Sequence, residues 1–170
     1  MGNRLDILRS KIDELIMTKQ PKSSHYFIVH LYGVSGFCVL LALKRGLDTE
    51  LSAACGMLHD IYQITHGTIE KHAVNGVHEA EKLLKSIGMY SEEEISLITY
   101  AISKHSKKRT VHDNPYAELL KDADVLSHCL YDPDYPIIEK EAVRYANLLT
   151  ELGCGSKGDG SSATPLTGEA

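Results

Sequence analysis

The stretch Ala53-Ala54-Cys55-Gly56-Met57-Leu58-His59-Asp60-Ile61 is the most informative segment of the sequence and carries the first sign of chemistry. Small and apolar side chains fill its first six positions, which is typical of a buried helix. The helix then ends in a histidine that is followed directly by an aspartate. An unpaired carboxylate is costly to bury, so Asp60 needs a cation or strong hydrogen-bond donors nearby. Taken alone, this short pair is better explained as a capped helix end with a hydrogen-bonded histidine.

Apolar residues recur at steps of three and four along most of the chain, which indicates amphipathic helices. Gly46 and Gly88 are helix-ending signals, and Ser91 with Glu94 has the pattern of a capping box. No alternation of apolar and polar residues is long enough for a strand. The predicted helices cover about residues 3–17, 25–45, 49–60, 70–86, 91–105, 116–130 and 136–152. We therefore predict an all-α protein with a single compact domain of about six or seven helices over residues 1–152.

The composition is that of an ordinary globular domain, with 43% hydrophobic and 24% charged residues in a chain of 170. Residues 153–170 are rich in Gly, Ser and Thr and are predicted to be a flexible tail. The formal net charge of −5 argues against a dedicated binder of duplex DNA or of an anionic membrane. We find no signal-peptide pattern, and isolated cysteines fit a reducing compartment, so a cytoplasmic location is predicted. The sequence leaves the oligomeric state open.

Two further helices offer metal-ligating side chains from apolar surroundings. A lone histidine such as His30, on the strongly apolar second helix, is more often a hydrogen-bonded core residue than a ligand. Asp122 and Asp124 interrupt an apolar segment downstream, and we predict that Asp124 points inward and Asp122 outward. Imidazole and carboxylate ligands together suit a divalent ion such as Mn, Fe, Co, Ni, Zn or Mg. Four protein ligands would leave two octahedral positions open, as metal-assisted hydrolysis requires.

The order His30, His59-Asp60 and Asp124 resembles the H…HD…D signature of the HD superfamily of metal-dependent phosphohydrolases. The similarity extends over about residues 25–130 and is closest to small stand-alone bacterial HD hydrolases. It implies the all-helical HD-domain fold and a divalent ion held by these four residues. It also implies hydrolysis of a small phosphoester or phosphoanhydride, a nucleotide in the first instance. A metal ion in such a site activates a water molecule and polarises a phosphoryl oxygen.

His72 and His105 stand where two-metal relatives complete a second site that bridges through Asp60. The alternative, which one-metal relatives favour, is that both line the cleft and bind substrate phosphate or nothing. In the mechanism of metal-assisted attack that we expect, Asp60, or an acid near it, accepts the water proton. The same mechanism gives His105 the role of stabilising charge or assisting the leaving group. The other histidines are predicted to be surface or loop residues: His25, His66, His78, His112 and His128.

Side chains close to these positions are candidates for substrate contacts. Three basic residues follow His105 and form either a solvated loop or a phosphate-binding loop: Lys107, Lys108 and Arg109. Gln63 lies three positions after the aspartate of the HD pair, where many relatives carry an acid or a lysine. An amide cannot act as an acid or base, so Gln63 is predicted to bind substrate and the general acid is left unassigned. Glu70 is a weaker substitute.

Three hypotheses about function follow from the sequence. The first is a nucleotide-directed phosphatase or pyrophosphatase, and the second is a phosphodiesterase that acts on cyclic or short oligonucleotides. The third is a non-catalytic sensor that keeps a metal and binds a nucleotide, which the neutral Gln63 favours. Metal-dependent turnover that is lost in Asp60→Asn would separate the two enzymes from the sensor.

Overall fold

The computed structural model describes residues 3–19, 24–109, 112–132, 134 and 136–154. These residues form eight helices and no strand, so the predicted all-α class is confirmed. The helices are α1 (Arg4–Lys19), α2 (Ser24–Arg45), α3 (Thr49–Leu58), α4 (Ile61–His66), α5 (His72–Ile87), α6 (Glu92–Lys104), α7 (Pro115–Tyr131) and α8 (Glu139–Glu151). Seven of them match the predicted segments, and the six-residue α4 lies within a stretch predicted to be a connection. Residues 155–170 of the predicted tail lie outside the described residues, and the division into domain and tail stays a prediction.

Helix α2 lies at the centre of the core and packs against both α3 and α7. Its buried side chains include Leu31, Val34 and Leu41, which are fully enclosed by these neighbours. By length and composition α2 is also apolar enough to cross a membrane, but core helices of soluble proteins share that property. Hydropathy therefore leaves the location undecided, and the cytoplasmic location stays a prediction.

Helices α2 and α3 make their closest approach at Gly56. A Cβ atom added at Gly56 would lie 2.6 Å from the Cα atom of Ser35 and 2.7 Å from its backbone nitrogen. The Ser35 hydroxyl also donates a hydrogen bond to the carbonyl of Ala53 at 3.1 Å. This contact between backbones fixes the end of α3, where His59 follows, against the helix that carries His30.

Side-chain caps define the starts of three helices that surround this crossing. The Asp48 carboxylate accepts from Leu51 N at 2.8 Å at the start of α3. The capping box of Ser91 and Glu94 is present at the start of α6, as predicted. Asn114 accepts from Ala117 N at 2.8 Å before α7. Each cap satisfies an amide that would otherwise lack a partner in the first turn, so the helix start is well defined.

Ion pairs hold α8 against α7 and against the loop after α6. Arg144 donates to Asp122 at 2.6 Å and to Glu118 at 2.8 Å, and its Nε donates to the carbonyl of Lys108 at 3.0 Å. Arg45 reaches the other oxygen of Asp122 at 2.7 Å. Asp122 is therefore buried in a structural network, and the prediction that it points outward is wrong.

Replacing Arg144 with leucine is expected to lower the free energy of unfolding by about 1–3 kcal/mol, because the carboxylate of Asp122 loses a partner in a buried site. Urea unfolding measures the change. The matched control is Arg109→Leu, whose partner Glu139 lies in solvent with a side chain that is 92% exposed. An exposed pair of this kind contributes less than about 0.5 kcal/mol. Equal losses in the two variants would contradict the prediction.

Candidate metal centre

The four predicted ligands converge on one point between α2, the end of α3 and α7. His30 Nε2 lies 3.1 Å from His59 Nε2, 3.4 Å from Asp124 Oδ1 and 3.7 Å from Asp60 Oδ2. His59 Nε2 lies 3.5 Å from Asp60 Oδ2 and 3.7 Å from Asp124 Oδ1. Ligands about 2.1 Å from an ion stand roughly 3 Å from their octahedral neighbours. The separations between the two histidines, and from them to each carboxylate, are therefore close to those expected for ligands of one ion, and all four side chains are buried.

A second group of ligand atoms adjoins the first and shares Asp60 with it. His72 Nε2 lies 3.0 Å from His105 Nε2 and 3.4 Å from Asp60 Oδ1. His105 Nε2 lies 3.6 Å from the same oxygen. The two oxygens of Asp60 thus face different groups, since Oδ2 is directed at the first pair of histidines and Oδ1 at the second.

Three of these histidines are oriented by the same kind of backbone contact. Nδ1 of His59 and of His72 lies 2.8 Å from the carbonyl oxygen three residues earlier, and Nδ1 of His105 lies 2.7 Å from its counterpart. A carbonyl can only accept, so each Nδ1 carries the hydrogen and each neutral ring presents an Nε2 lone pair to the cluster. His72 and His105 thereby bring two lone pairs within 3.0 Å, which a cation or a proton between them must stabilise.

The carboxylates lack the partners that buried oxygens need. Among the residues that the structure describes, no side chain or backbone group hydrogen-bonds to Oδ1 of Asp60 or Oδ1 of Asp124, although both atoms are buried. A buried acceptor without a donor is destabilising. Asp60 Oδ1 faces Nε2 of His72 and of His105. Asp124 Oδ1 faces Nε2 of His59 among others. These three Nε2 atoms are acceptors as well in the neutral rings, because each Nδ1 donates to a carbonyl. A divalent cation would supply the positive charge that these atoms lack, so the donor set fits a metal ion.

The protonation states also favour a metal. Burial, with the neighbouring His59, lowers the pKa of His30 to about 4, and burial lowers the pKa of His59 too. Burial alone would raise the pKa of Asp124, but Lys108 and His59 hold that pKa well below its ordinary range. The imidazoles around Asp60 likewise outweigh burial and lower its pKa. Neutral imidazoles and ionised carboxylates are the forms that bind metal ions.

A family model described as HD domain matches residues 27–128, which is more than half of the chain. The chain belongs to the HD-domain family. Members of this family are generally metal-dependent hydrolases, and the His and Asp groups of this HD domain could hold the divalent ion that the family implies. The match contains the candidate ligands and ends at His128, so α8 lies outside it. No curated protein and no solved structure matches the chain.

Without metal, this HD domain is expected to lose stability as the pH falls from about 6.5 to about 4. His30 has a folded pKa of about 4 against an ordinary value of 6.5, so the unfolded chain takes up the proton first. The stability that His30 contributes is complete above the ordinary pKa and declines by about 1.4 kcal/mol per pH unit within that window. His59 acts in the same direction, whereas the raised pKa of His128 acts in the opposite one.

Urea unfolding of metal-free protein at about pH 5, 6 and 7 tests this dependence. The matched variant is His30→Gln, which cannot titrate and should show a shallower slope than the wild type. Identical slopes in the two proteins would contradict the assignment of the effect to His30.

The predicted substrate-binding residues do not stay together. Lys108 is buried, with 5% of its surface exposed, and its ammonium donates to Oδ2 of Asp124. It thereby occupies one oxygen of that carboxylate and leaves Oδ1 to the histidines. Arg109 instead pairs with a glutamate of α8 at 2.9 Å, Lys107 is exposed, and Gln63 is half-buried on α4. Within the described part of the chain, no side-chain hydrogen bond or ion pair joins these last three residues to the cluster.

His128 belongs to the centre, so the prediction of a surface position for it is wrong. Its Nε2 lies 3.3 Å from Asp124 Oδ1, and its ring stacks on His30 with centroids 5.2 Å apart and 4° between planes. Its Nδ1 lies 3.3 Å from Oε1 of Glu141 on α8. Burial lowers the pKa of His128, but the carboxylates of Glu141 and Asp124 outweigh it and raise that pKa. The other four histidines are exposed as predicted: His25, His66, His78 and His112.

The available signal for His128 was its spacing from Asp124. Residues four apart share one face of a helix, so an inward Asp124 implies that His128 also faces inward. Glu141 offered no such signal, because its position depends on how α8 packs against α7.

Proposed function

We propose that this HD domain is a metal-dependent phosphohydrolase that acts on a nucleotide or a related small phosphoester or phosphoanhydride. The observation that carries the proposal is the buried cluster of inward Nε2 atoms around two carboxylate oxygens that have no hydrogen-bond partner among the described residues. Such an arrangement is destabilising without a cation, and it contributes nothing to the stability of a core.

A divalent ion bound there supplies an activated water and polarises a phosphoryl oxygen. Asp60 lies between the two groups of histidines, where its carboxylate can accept the proton of the attacking water. His105 is held by the bond from its Nδ1 to the Ile102 carbonyl, which leaves Nε2 as the atom that takes up or gives a proton. Its buried ring can therefore stabilise developing charge or assist the leaving group.

We propose one ion at His30, His59, Asp60 and Asp124. The 3.0 Å contact between Nε2 of His72 and Nε2 of His105 supports a second ion that would share Asp60. Mixed imidazole and carboxylate ligands favour Mn, Fe, Co, Ni or Zn over Mg. Metal content per chain after loading and gel filtration distinguishes one ion from two.

Substrate contacts outside the centre are proposed for Gln63, Lys107 and Arg109. Gln63 lies on α4, which follows Asp60, and the two basic residues lie in the loop that follows His105. Lys108 is already paired with Asp124, so its contribution to phosphate binding would pass through the charge that it adds to the centre. The proposed partner is a small phosphorylated molecule in the cytoplasm, not duplex DNA or a membrane.

The test is product release from a panel of nucleoside mono-, di- and triphosphates, cyclic nucleotides and a generic phosphodiester. Manganese-loaded protein is compared with protein treated with a chelator. Turnover that appears with manganese and disappears on chelation supports the hydrolase, and activity confined to diesters identifies the phosphodiesterase. Absence of turnover on every compound, with manganese shown to be bound, would contradict the proposed hydrolase activity and favour the nucleotide sensor.

A further inference from the structure

A cavity of about 280 Å³ adjoins the metal centre, between the start of α2, the end of α7 and the start of α8. His30 and His128 form the wall on the side of the centre, and aromatic and aliphatic side chains form most of the rest. Small-molecule sites typically enclose roughly 300–1,000 Å³. The cavity is therefore large enough for one ring system of a ligand.

The rings along this wall are arranged as a stack. Tyr26 lies parallel to His30 with centroids 5.3 Å apart and 9° between planes. His128 is also parallel to His30, with centroids 5.2 Å apart and 4° between planes. Tyr131 meets Tyr26 edge-on, with centroids 6.2 Å apart and 80° between planes. A lining with four aromatic rings favours a planar aromatic guest, through stacking or edge contacts, over a flexible aliphatic one.

Glu141 adds a polar feature to this otherwise apolar cavity. Its side chain lines the cavity and is 1% exposed, although it belongs to an amphipathic surface helix. Oε1 accepts from Nδ1 of His128, whereas Oε2 has no hydrogen-bond partner among the described residues. A carboxylate oxygen can only accept, so this atom requires an N–H or O–H donor. A ligand in the cavity that Glu141 lines would be one source of such a donor.

We propose that this cavity binds the heteroaromatic base of the substrate, with an exocyclic amine of the base donating a hydrogen bond to Oε2 of Glu141. The inference deepens the proposed function, on which it rests for the placement of the phosphate at the neighbouring centre. Cytosine and adenine carry such an amine, whereas uracil and hypoxanthine carry a carbonyl oxygen at the same place. That oxygen would face a carboxylate oxygen and be repelled, so Glu141 determines specificity for amino bases over oxo bases.

The test uses the full chain and nucleosides without phosphate, so that neither metal binding nor turnover enters the measurement. Dissociation constants for cytidine and uridine, and for adenosine and inosine, are measured by nuclear magnetic resonance titration. At least one amino nucleoside should bind about tenfold more tightly than its oxo counterpart, because the counterpart leaves a buried acceptor without a donor. Equal affinities within both pairs, or no binding of any nucleoside, would overturn the inference.

Glu141→Gln should reverse the preference. His128 donates to the side-chain oxygen at this position, so the amide oxygen of glutamine takes that bond and its NH₂ group is directed at the cavity. The variant then offers a donor and binds the oxo nucleoside more tightly. The matched control is Glu139→Gln, an exposed glutamate two residues earlier on α8, which should leave the preference unchanged. If Glu141→Gln does not fold, the preference of the wild type still decides the matter.

The outcome is separable from that of the hydrolase proposal. Nucleoside preference without turnover on the phosphate panel would support the base site and contradict the hydrolase proposal. Turnover without nucleoside preference would support the hydrolase proposal and contradict the proposed base site.

Discussion

Asp60→Asn is expected to reduce metal-dependent turnover at least about a thousandfold while leaving the helices intact. Asp60 directs Oδ2 at His30 and His59 and Oδ1 at His72 and His105, so both groups of ligands depend on its charge. An asparagine would remove that charge and would place an NH₂ donor in one of the two oxygen positions. The measurements are kcat/KM at saturating manganese, metal content after gel filtration, and circular dichroism.

Asp6→Asn is the matched control, because Asp6 lies on the first turn of α1 with 57% of its side chain exposed. Its activity should stay within about twofold of the wild type, as expected for a surface change away from the centre. An Asp60→Asn protein that kept more than about a tenth of the activity would show that the reaction does not depend on this carboxylate.

Gly56→Ala is expected to lower the free energy of unfolding by about 3 kcal/mol, the upper end of the usual cost of overpacking. The added methyl group would lie 2.6 Å from Cα of Ser35, a backbone atom that cannot move without its helix. The helices α2 and α3 would have to separate, and His59 would move away from His30 as they did. We therefore expect weaker metal binding in addition to the loss of stability, measured by urea unfolding and by metal titration.

Gly36→Ala provides the opposite case on α2, the partner helix at this crossing. A Cβ atom at Gly36 meets nothing within 4 Å, so the substitution should stabilise the protein by about 0.5–1 kcal/mol through the higher helix propensity of alanine. If both glycine variants were equally stable, the close crossing at Gly56 would have no energetic consequence, and the account of how α3 positions His59 would be wrong.

The helical class and the candidate ligands could be predicted from the sequence because both depend on local patterns of residues along the chain. Periodic apolar residues predicted seven of the helices, and the order of His30, the HD pair and Asp124 in apolar helices identified the candidates. The fold places the two histidines 3.1 Å apart and 3.4–3.7 Å from each carboxylate. The roles assigned to these residues stay predictions until metal binding and turnover are measured.

Features that depend on packing between distant segments could not be predicted. Lys108 has the character of a loop lysine in sequence, yet it is buried against Asp124 from the neighbouring helix. Asp122 was expected in solvent, but arginines from α2 and α8 enclose it. Glu141 meets His128 only because α8 folds back over the end of α7. No spacing along the chain encodes these three contacts.

The pairing of Lys108 with Asp124 has a consequence for the order in which ligands arrive. Two ionised aspartates and one lysine give the empty centre a net charge of about −1, which repels a phosphate in a poorly screened interior. One divalent ion changes the net charge of the centre to about +1, and the metal centre then attracts the anion. We therefore expect an ordered kinetic scheme in which the metal enters first. By linkage, bound substrate would then raise the apparent metal affinity.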